Sequence, residues 1–346
     1  MDVRSIYPME DPRWLDFILS HEKANIFHHP AWLRVLNRQY GFPVFAICHF
    51  DANEKIIAGI PYCEVRSITG EKQWISLPFA DHCYPIYDSY PHLQDIIEYM
   101  IEKSKKEKVP HIEIRAPIPS NEVFLSGSQS FVHTISLSTQ ENVFNSFKKT
   151  RVQQAITKSI KDGLSADISV SHESIELFYS LHLKTRKKLG VPIQPKRFFE
   201  IMYEELLKQN LGFISIVRMQ GKPISAGMFL LHQETCMYKF GASDPRALQF
   251  KPNHLMLWTA IREAIDRGCV LFDMGKTDLE NKGLRTFKGG WGSVESELHY
   301  SFYPTLHQDG IVSTLKDYLV SPAIKYSPSF VCRLIGEIGY KYFPSL

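Results

Sequence analysis

FISIVRMQGKPISAGMFLLHQETCMYKFG, residues 213 to 241, decides the fold of this chain. Phe213 to Met219 and Pro223 to Leu231 are rich in β-branched and other apolar residues, and Gln220-Gly221-Lys222 separates them. That pattern predicts a β-hairpin, and Thr235 to Gly241 predicts a third strand beside it. Downstream, the loop GASDPRALQFKP leads into residues 253 to 267. There Leu255, Trp258, Ile261 and Ile265 share one helical face, and Gly268 supplies the stop. Cys269 to Met274 reads as the next strand, and residues 294 to 303 as one more.

The same order stands earlier in the chain. PAWLRVLNRQ, residues 30 to 39, opens with proline and keeps Trp32, Leu33 and Leu36 on one face, a short amphipathic helix. Phe42 to Phe50 and Ile56 to Val65 predict a hairpin across DANEK, followed by a third strand from Gln73 to Leu77. The loop PFADHCYPIYDSYP then gives way to a helix from 91 to 107, with Leu93, Ile96, Ile97, Met100 and Ile101 at helical spacing and lysines in its last turn. His111 to Arg115 and Phe131 to Leu137 complete the series. Helix, hairpin, third strand, loop, helix and two strands thus recur at an offset of about 160 residues without obvious residue identity, a repetition of architecture. Strand, loop, helix and strand within a mixed sheet require a crossover, which brings the loop and the helix N-terminus to one sheet edge, where ligands bind.

The expected fold class is therefore α/β with mixed (α+β) sheets, in two tandem domains, 1–137 and 138–310, with a helical tail, 311–346. Residues 138 to 164 read as two short helices opening the second domain, and residues 172 to 188 and 195 to 209 as two longer ones. The tail predicts one helix from 311 to about Val320, then an aromatic-rich, modestly basic amphipathic segment. That segment packs on the body or makes peripheral contact with a membrane surface.

Bulk properties agree with two cores, since 346 residues exceed one average domain. No run of eighteen apolar residues occurs, and MDVRSIYPMEDPRW lacks the apolar stretch of a signal peptide, so a cytoplasmic location, at most at the inner face of the membrane, is expected. The six cysteines lie far apart with no C-x-x-C pair, which predicts reduced core residues and no metal site. Charge is uneven: the net charge is +3, yet residues 141 to 200 hold eleven Lys/Arg and six Asp/Glu. A phosphate-bearing partner explains that segment, and so does a solvated helix face. No DNA partner is expected.

Four stretches carry a family resemblance: FHHPAWL from Phe27 to Leu33, SLPFADHCYPI from Ser76 to Ile86, LHLKTRKKLGVPIQPKRFF from Leu181 to Phe199, and LFDMGKTDLENKGLRTFKGGWG from Leu271 to Gly292. In this order they resemble the Fem-related (FemAB-like) aminoacyl and acyl transferases of the GNAT superfamily, over roughly residues 25 to 305. The resemblance implies two GNAT-like domains and amide formation on an amine of a peptidoglycan, polysaccharide or other cell-envelope precursor. Two other functions stay open: a CoA-dependent N-acyltransferase acting on an amino sugar, and a catalytically silent tandem module that binds a phosphorylated glycan or an export-system partner.

Amide formation sets chemical demands. A neutral amine attacks a carbonyl, so a proton must be removed and the developing oxyanion needs a donor or a cation. Asp81, His82 and Tyr84 fall within four residues of the loop at the sheet edge, and any of them could position or deprotonate an amine. The resemblance favours Asp81, which reads equally as an Asx turn ordering the loop. Glycines 283, 289, 290 and 292 surround Phe287, Lys288 and Trp291 and would let backbone approach a ligand. The resemblance places Phe287 and Lys288 at the donor end, with Lys288 stabilising charge on the reacting carbonyl. Asp273, Lys276 and Asp278 read as an ion-pair frame for that loop or as plain surface charges. Arg151, Arg186, Lys187 and Lys196 are the candidates for phosphate recognition. GNAT enzymes that use coenzyme A carry R/Q-x-x-G-x-G/A before the helix that follows the third strand, and neither corresponding loop has it. The donors left open are aminoacyl-tRNA or a carrier-bound acyl group, first, and acyl-CoA.

Overall fold

The computed structural model describes residues 2–67, 69–119, 123–304 and 321–342. The chain opens with β1 (Asp2–Ile6) and α1 (Pro12–Leu19), neither of which is legible in the sequence pattern; α1 is capped by Asp11, which accepts from Arg13 N at 3.0 Å, and buries Trp14, Phe17 and Ile18. α2 (Pro30–Tyr40) stops at Gly41, whose φ of 71° is the left-handed conformation that ends a helix. β2 (Val44–Phe50) and β3 (Ile56–Arg66) form the expected antiparallel hairpin, β4 (Lys72–Ile75) adds the third strand, and the two-residue β5 (Ile86–Tyr87) pairs with β3. α3 (Tyr90–Lys106) buries Leu93, Ile96, Ile97 and Met100, as its periodicity demands. It is the crossover to β6 (His111–Ile114), which lies parallel to β4. β7 (Leu125–Ser126) follows.

The second series begins at β8 (Ser130–Ser136) and α4 (Gln140–Ser146), whose cap Thr139 accepts from Asn142 N. One π-helical turn, Lys149–Gln153, runs into α5 (Gln154–Lys161). β9 (Leu164–Ser169), a strand the sequence pattern does not announce, precedes α6 (His172–Leu189) and α7 (Lys196–Glu205). β10 (Gly212–Met219) and β11 (Lys222–His232) are the hairpin of the opening stretch, with Met219 opposite Lys222, and β12 (Thr235–Ser243) pairs antiparallel to β11. α8 (Pro252–Asp266) crosses over to β13 (Leu271–Asp278), parallel to β12. α9 (Lys282–Gly289), β14 (Val294–Leu298) and β15 (Ser301–Tyr303) follow, then the helices Ser321–Tyr326 and Ser329–Tyr342. The helix expected from 311 to 320 lies outside the described residues.

Strand order is β1-β2-β3-β4-β6-β15-β7 in one sheet, with β5 beside β3, and β14-β8-β13-β12-β11-β10-β9 in the other. Each parallel pair, β4 with β6 and β12 with β13, sits inside a mixed sheet, so the fold is α/β with mixed sheets and a helical C-terminal region. The final strands differ from the simple repeat. Phe131 to Leu137 was expected to close the first copy, but β8 pairs antiparallel with β13, from Ser136 opposite Leu271 to Ser130 opposite Asp278. The stretch 294 to 303 was expected as one strand of the second copy; it divides, β14 joining β8 and β15 joining β6. Length explains the exchange: the eight-residue β13 offers seven-residue β8 a long ladder, whereas four-residue β6 fits the three residues of β15. One unit accordingly holds residues 2–129 with 298–304 and 340–342, and the other 130–297 with 321–339.

Each unit has its own apolar centre. In the first, Tyr62, Trp74, Ile96, Ile97, Met100, Ile112 and Ile114 pack between α3 and the sheet. In the second, Phe213, Phe229, Phe272, Met256, Ile261 and Trp291 do so around α8. All six cysteines are buried, and burial raises the thiols of Cys63 and Cys83 above their ordinary range.

Candidate active-site residues

In the first unit, the loop after β4 is wound tightly by Leu77 and Phe79, both at φ 63° and neither a glycine. Left-handed backbone costs about 1–2 kcal/mol per such residue, and structures hold that strain where a loop must present particular groups. A buried pair ties the loop down: Arg115 Nε donates to Glu113 Oε1 at 2.8 Å and its Nη1 to Ala80 O at 2.9 Å. Arg115 N donates to Ser76 Oγ at 2.7 Å, and Cys83 N donates to Arg115 O at 2.9 Å. Burial pulls the Arg115 guanidinium down, but Glu113, then Tyr300 and Asp81, more than offset it and keep the group above its usual range.

Asn25 fixes the rest of that loop. Its Nδ2 donates to His82 Nδ1 at 3.1 Å and to His82 O at 3.3 Å. Its backbone N–H donates to His28 Nδ1 at 3.1 Å, which leaves the proton on His28 Nε2, 2.9 Å from Tyr84 O. Burial pushes the fully buried His28 down to about 4, so the ring is neutral. Of the three expected loop residues, His82 is thus buried and engaged by Asn25, Tyr84 is half-buried against the apolar centre, and Asp81 is half-buried with its carbonyl accepting from Tyr300 Oη at 2.8 Å. Asn25 with His28 and Arg115 with Glu113 are neighbours in sequence, but the loop groups they hold lie 35 to 57 residues away, so no local pattern announces the support.

In the second unit, Lys288 is 4% exposed, unusual for a lysine. Its Nζ donates to Gly275 O at 2.7 Å and to Lys276 O at 3.1 Å. Those carbonyls are turned by an irregularity in β13, where the register against β8 shifts between Asp273 and Lys276 and Gly275 takes φ 75°. Asp273, also buried, closes the turn by accepting from Gly275 N at 2.7 Å. Of the expected ion-pair frame, the side chains of Lys276 and Asp278 pair at 3.2 Å, and main-chain groups of Gly275 and Lys276 join it. His133 on β8 is a further member that the sequence did not reveal. It is fully buried, 3.7 Å from Glu295, and its pKa is driven down to about 4 by burial and then by the charge of Lys288. Only the placement of β8 beside β13 brings it there.

The other expected residues divide. Phe287 is half-buried against His254 and Trp291, with ring centroids 5.4 and 6.2 Å away. Trp291, expected among the substrate-binding residues, is fully buried, stacked on His254 and edge-on to Phe147, because the aromatic core beside α4 takes it in. The glycines beside it admit chain, with Gly290 O accepting from Lys148 N at 2.9 Å and Gly292 tight against Ser146. Arg151 is exposed in the π-helical turn. Arg186 Nε donates to Pro192 O at 2.8 Å, tying the end of α6 to the following segment. Lys187 lines a cleft of about 560 Å³ together with Lys184, Lys188, Arg246 and Lys325. Lys196 instead pairs with Glu176 at 2.6 Å and Glu200 at 3.6 Å, so its charge is matched within the protein.

Two mixed sheets, each with a helix crossing over between parallel strands, make this chain a tandem GNAT-like protein. Residues 148–288 match the family model described as an acetyltransferase (GNAT) domain. The crystal structure of FemX superposes with a TM-score of 0.70 at 14% identity, covering 91% of this chain and all (100%) of that one. The structure of L-PGS from Bacillus licheniformis gives 0.58 at 12% identity, over 92% and 99% of the two chains. Lipid II:glycine glycyltransferase of Staphylococcus aureus (strain USA300) is 29% identical over 136 residues, 37% of this chain and 32% of that protein. The match thus spans about a third of the length of these curated relatives. Residues 148–288 thus match a GNAT domain, and the chain as a whole shares the fold of FemX.

Proposed function

We propose that this chain forms an amide on an amine of a cell-envelope or polysaccharide precursor, taking an aminoacyl group from aminoacyl-tRNA. The observation that carries this reading is Lys288, a buried ammonium held by two main-chain carbonyls in the segment where the GNAT-domain match ends. Such a fixed cation needs no reorganisation when negative charge develops on the carbonyl oxygen of the donor. In the step itself the acceptor amine forms the new N–C bond, the ester C–O bond to the tRNA ribose breaks, and the amine proton ends on the departing ribose oxygen. Asp81 orients the amine and receives its proton on the way, with His82 and Tyr84 shaping the loop that carries it. Phe287 shapes the donor end. Arg151 and Arg186 bind the phosphates of the acceptor. The S. aureus relatives are named for lipid II and glycine, which supports a phosphate-bearing, lipid-linked acceptor and work at the cytoplasmic face of the membrane.

The donor assignment is supported by the loops after β4 and β12. The second is filled by a 3-10 helix, Pro245–Phe250, capped by Asp244, where a pyrophosphate-binding glycine loop would otherwise stand. A CoA-dependent acyl transfer to an amino sugar is the second reading, favoured by the description of the matching family model.

The purified chain, incubated with tRNA charged with labelled amino acids and with lipid II, should move label into the acceptor. Lys288→Met should lower the rate by about 10²–10³-fold, the cost of removing one oxyanion-stabilising group. Asp81→Asn should lower it as well without changing donor binding. Label arriving from acetyl-CoA alone would establish the second reading. Binding of a phosphorylated glycan with no transfer from any donor would make the chain a binding module.

A further inference from the structure

We propose that the C-terminal helices, with the cation-lined cleft beside them, form a docking surface for an anionic lipid bilayer. The proposal does not rest on the transfer reading. It begins with exposed apolar side chains. Tyr326, Phe330, Leu334 and Ile338 are 88, 62, 52 and 59% exposed, and all point outward within thirteen residues of chain. Spaced by four, Phe330, Leu334 and Ile338 make one stripe along the helix Ser329–Tyr342. A helix that packed by its apolar face would hide these residues.

The opposite face is already committed. Cys332 is buried, and its Sγ lies 3.6 Å from Val191 O. A Cβ on Gly336 would come within 1.7 Å of Ile193 O, so at this position the helix backbone rests on the 191–194 segment and only glycine fits. Pinned in this way, the helix cannot roll to bury its stripe.

Charge lies next to the stripe. The cleft lined by Lys184, Lys187, Lys188, Arg246 and Lys325 also includes Tyr326 and Ser329, and Asp244 is the one carboxylate in its lining. Asp244 is bonded first by Arg246 and then by Lys184, which hold it well below the usual carboxylate range, so the rest of the cluster stays positive. The end of α6 abuts the helix Ser321–Tyr326: a Cβ on Gly190 would fall 2.2 Å from Ser321 Oγ and 2.7 Å from Lys325 Cε. Leu189, 57% exposed, extends the apolar edge at that junction.

An occupant must use both features. A polyanion such as RNA would match the cations and stack a base on Phe330, but it would leave the aliphatic Leu334 and Ile338 in water. A second copy of the chain would cover the stripe but set two basic clusters near each other. A bilayer surface accepts apolar side chains below its headgroups and pairs lysines with anionic phosphates, each basic residue strengthening the contact. The contact is peripheral, since no described helix is long and apolar enough to cross a membrane.

The test is co-sedimentation of the full chain with phosphatidylcholine vesicles, with and without phosphatidylglycerol. Binding is expected only with phosphatidylglycerol and should weaken as salt rises. The triple variant Phe330→Ser, Leu334→Ser, Ile338→Ser should reduce partitioning by about tenfold or more, with an unchanged melting temperature. Lys188→Gln with Lys325→Gln should reduce it independently. No binding to the anionic vesicles, or equal binding by parent and both variants, overturns the proposal. So does a triple variant that abolishes a dimer in light scattering while vesicle binding persists, or a charge variant that loses tRNA binding alone.

Discussion

Buried imidazoles give single residues a measurable effect on the whole chain. Burial holds His28 near pKa 4 and His182 near 3, against an ordinary value of 6.5. Above pH 6.5 both rings are neutral in the folded and the unfolded chain, and their contribution is complete. As pH falls below 6.5 the unfolded chain takes up protons that the folded rings refuse, so stability declines until about pH 4 for His28 and about pH 3 for His182. For His28 alone the loss across that window is about 3 kcal/mol, from some 1.4 kcal/mol per pKa unit. Urea unfolding between pH 7 and pH 4.5 should show this decline, and a flat unfolding free energy over that range would contradict it. At this scale the sequence showed which residue types were candidates and not what surrounds them. Lys288 read as a cation for the reacting carbonyl in a glycine-rich segment with Trp291 beside it, and no local pattern indicated that both are buried. Burial depends on chain that is distant in sequence, here β13 for Lys288 and α4 for Trp291.

Among the elements, the bulge in β13 is the one on which the proposed chemistry depends. Gly275, at φ 75°, turns its carbonyl and that of Lys276 toward the Lys288 ammonium. Gly275→Val forces a β-branched residue into left-handed backbone, at about 1–2 kcal/mol, and should swing those acceptors away. Gly268, at φ 83° after α8, makes a matched control, since nothing lies within 4 Å of a Cβ there. Both Gly275→Val and Gly268→Ala should lower the melting temperature, and only the first should abolish amide transfer. Equal activity in the two would separate the bulge from catalysis. Periodicity made α3, α8 and both hairpins legible, because a helix face and a β-turn are local patterns. It did not show β1, α1 or β9: β9 has an exposed or half-exposed surface over most of its length and little apolar alternation to read.

Over the whole molecule, the exchange of final strands makes the two copies interdependent. A fragment ending at residue 137 lacks β15, which pairs with both β6 and β7, and one spanning 138 to 310 lacks β8, which pairs with both β13 and β14. Each would expose sheet edges built to be covered. Expressed separately, neither fragment should give a cooperative thermal transition, and co-expression should recover folded protein. A fragment 1–137 that melts cooperatively on its own would refute this dependence.

What the sequence determined by itself is the order of the hairpins and crossover helices, the duplicated α/β plan and the segments that carry the family resemblance, because these rest on short-range periodicity, turn residues and local motifs. Tertiary structure alone decided which sheet each final strand joins, and with it the meeting of His133 and Lys288 in one buried cluster. Strand partners are set by ladder length and hydrogen bonding between segments more than a hundred residues apart, and no local pattern encodes that choice.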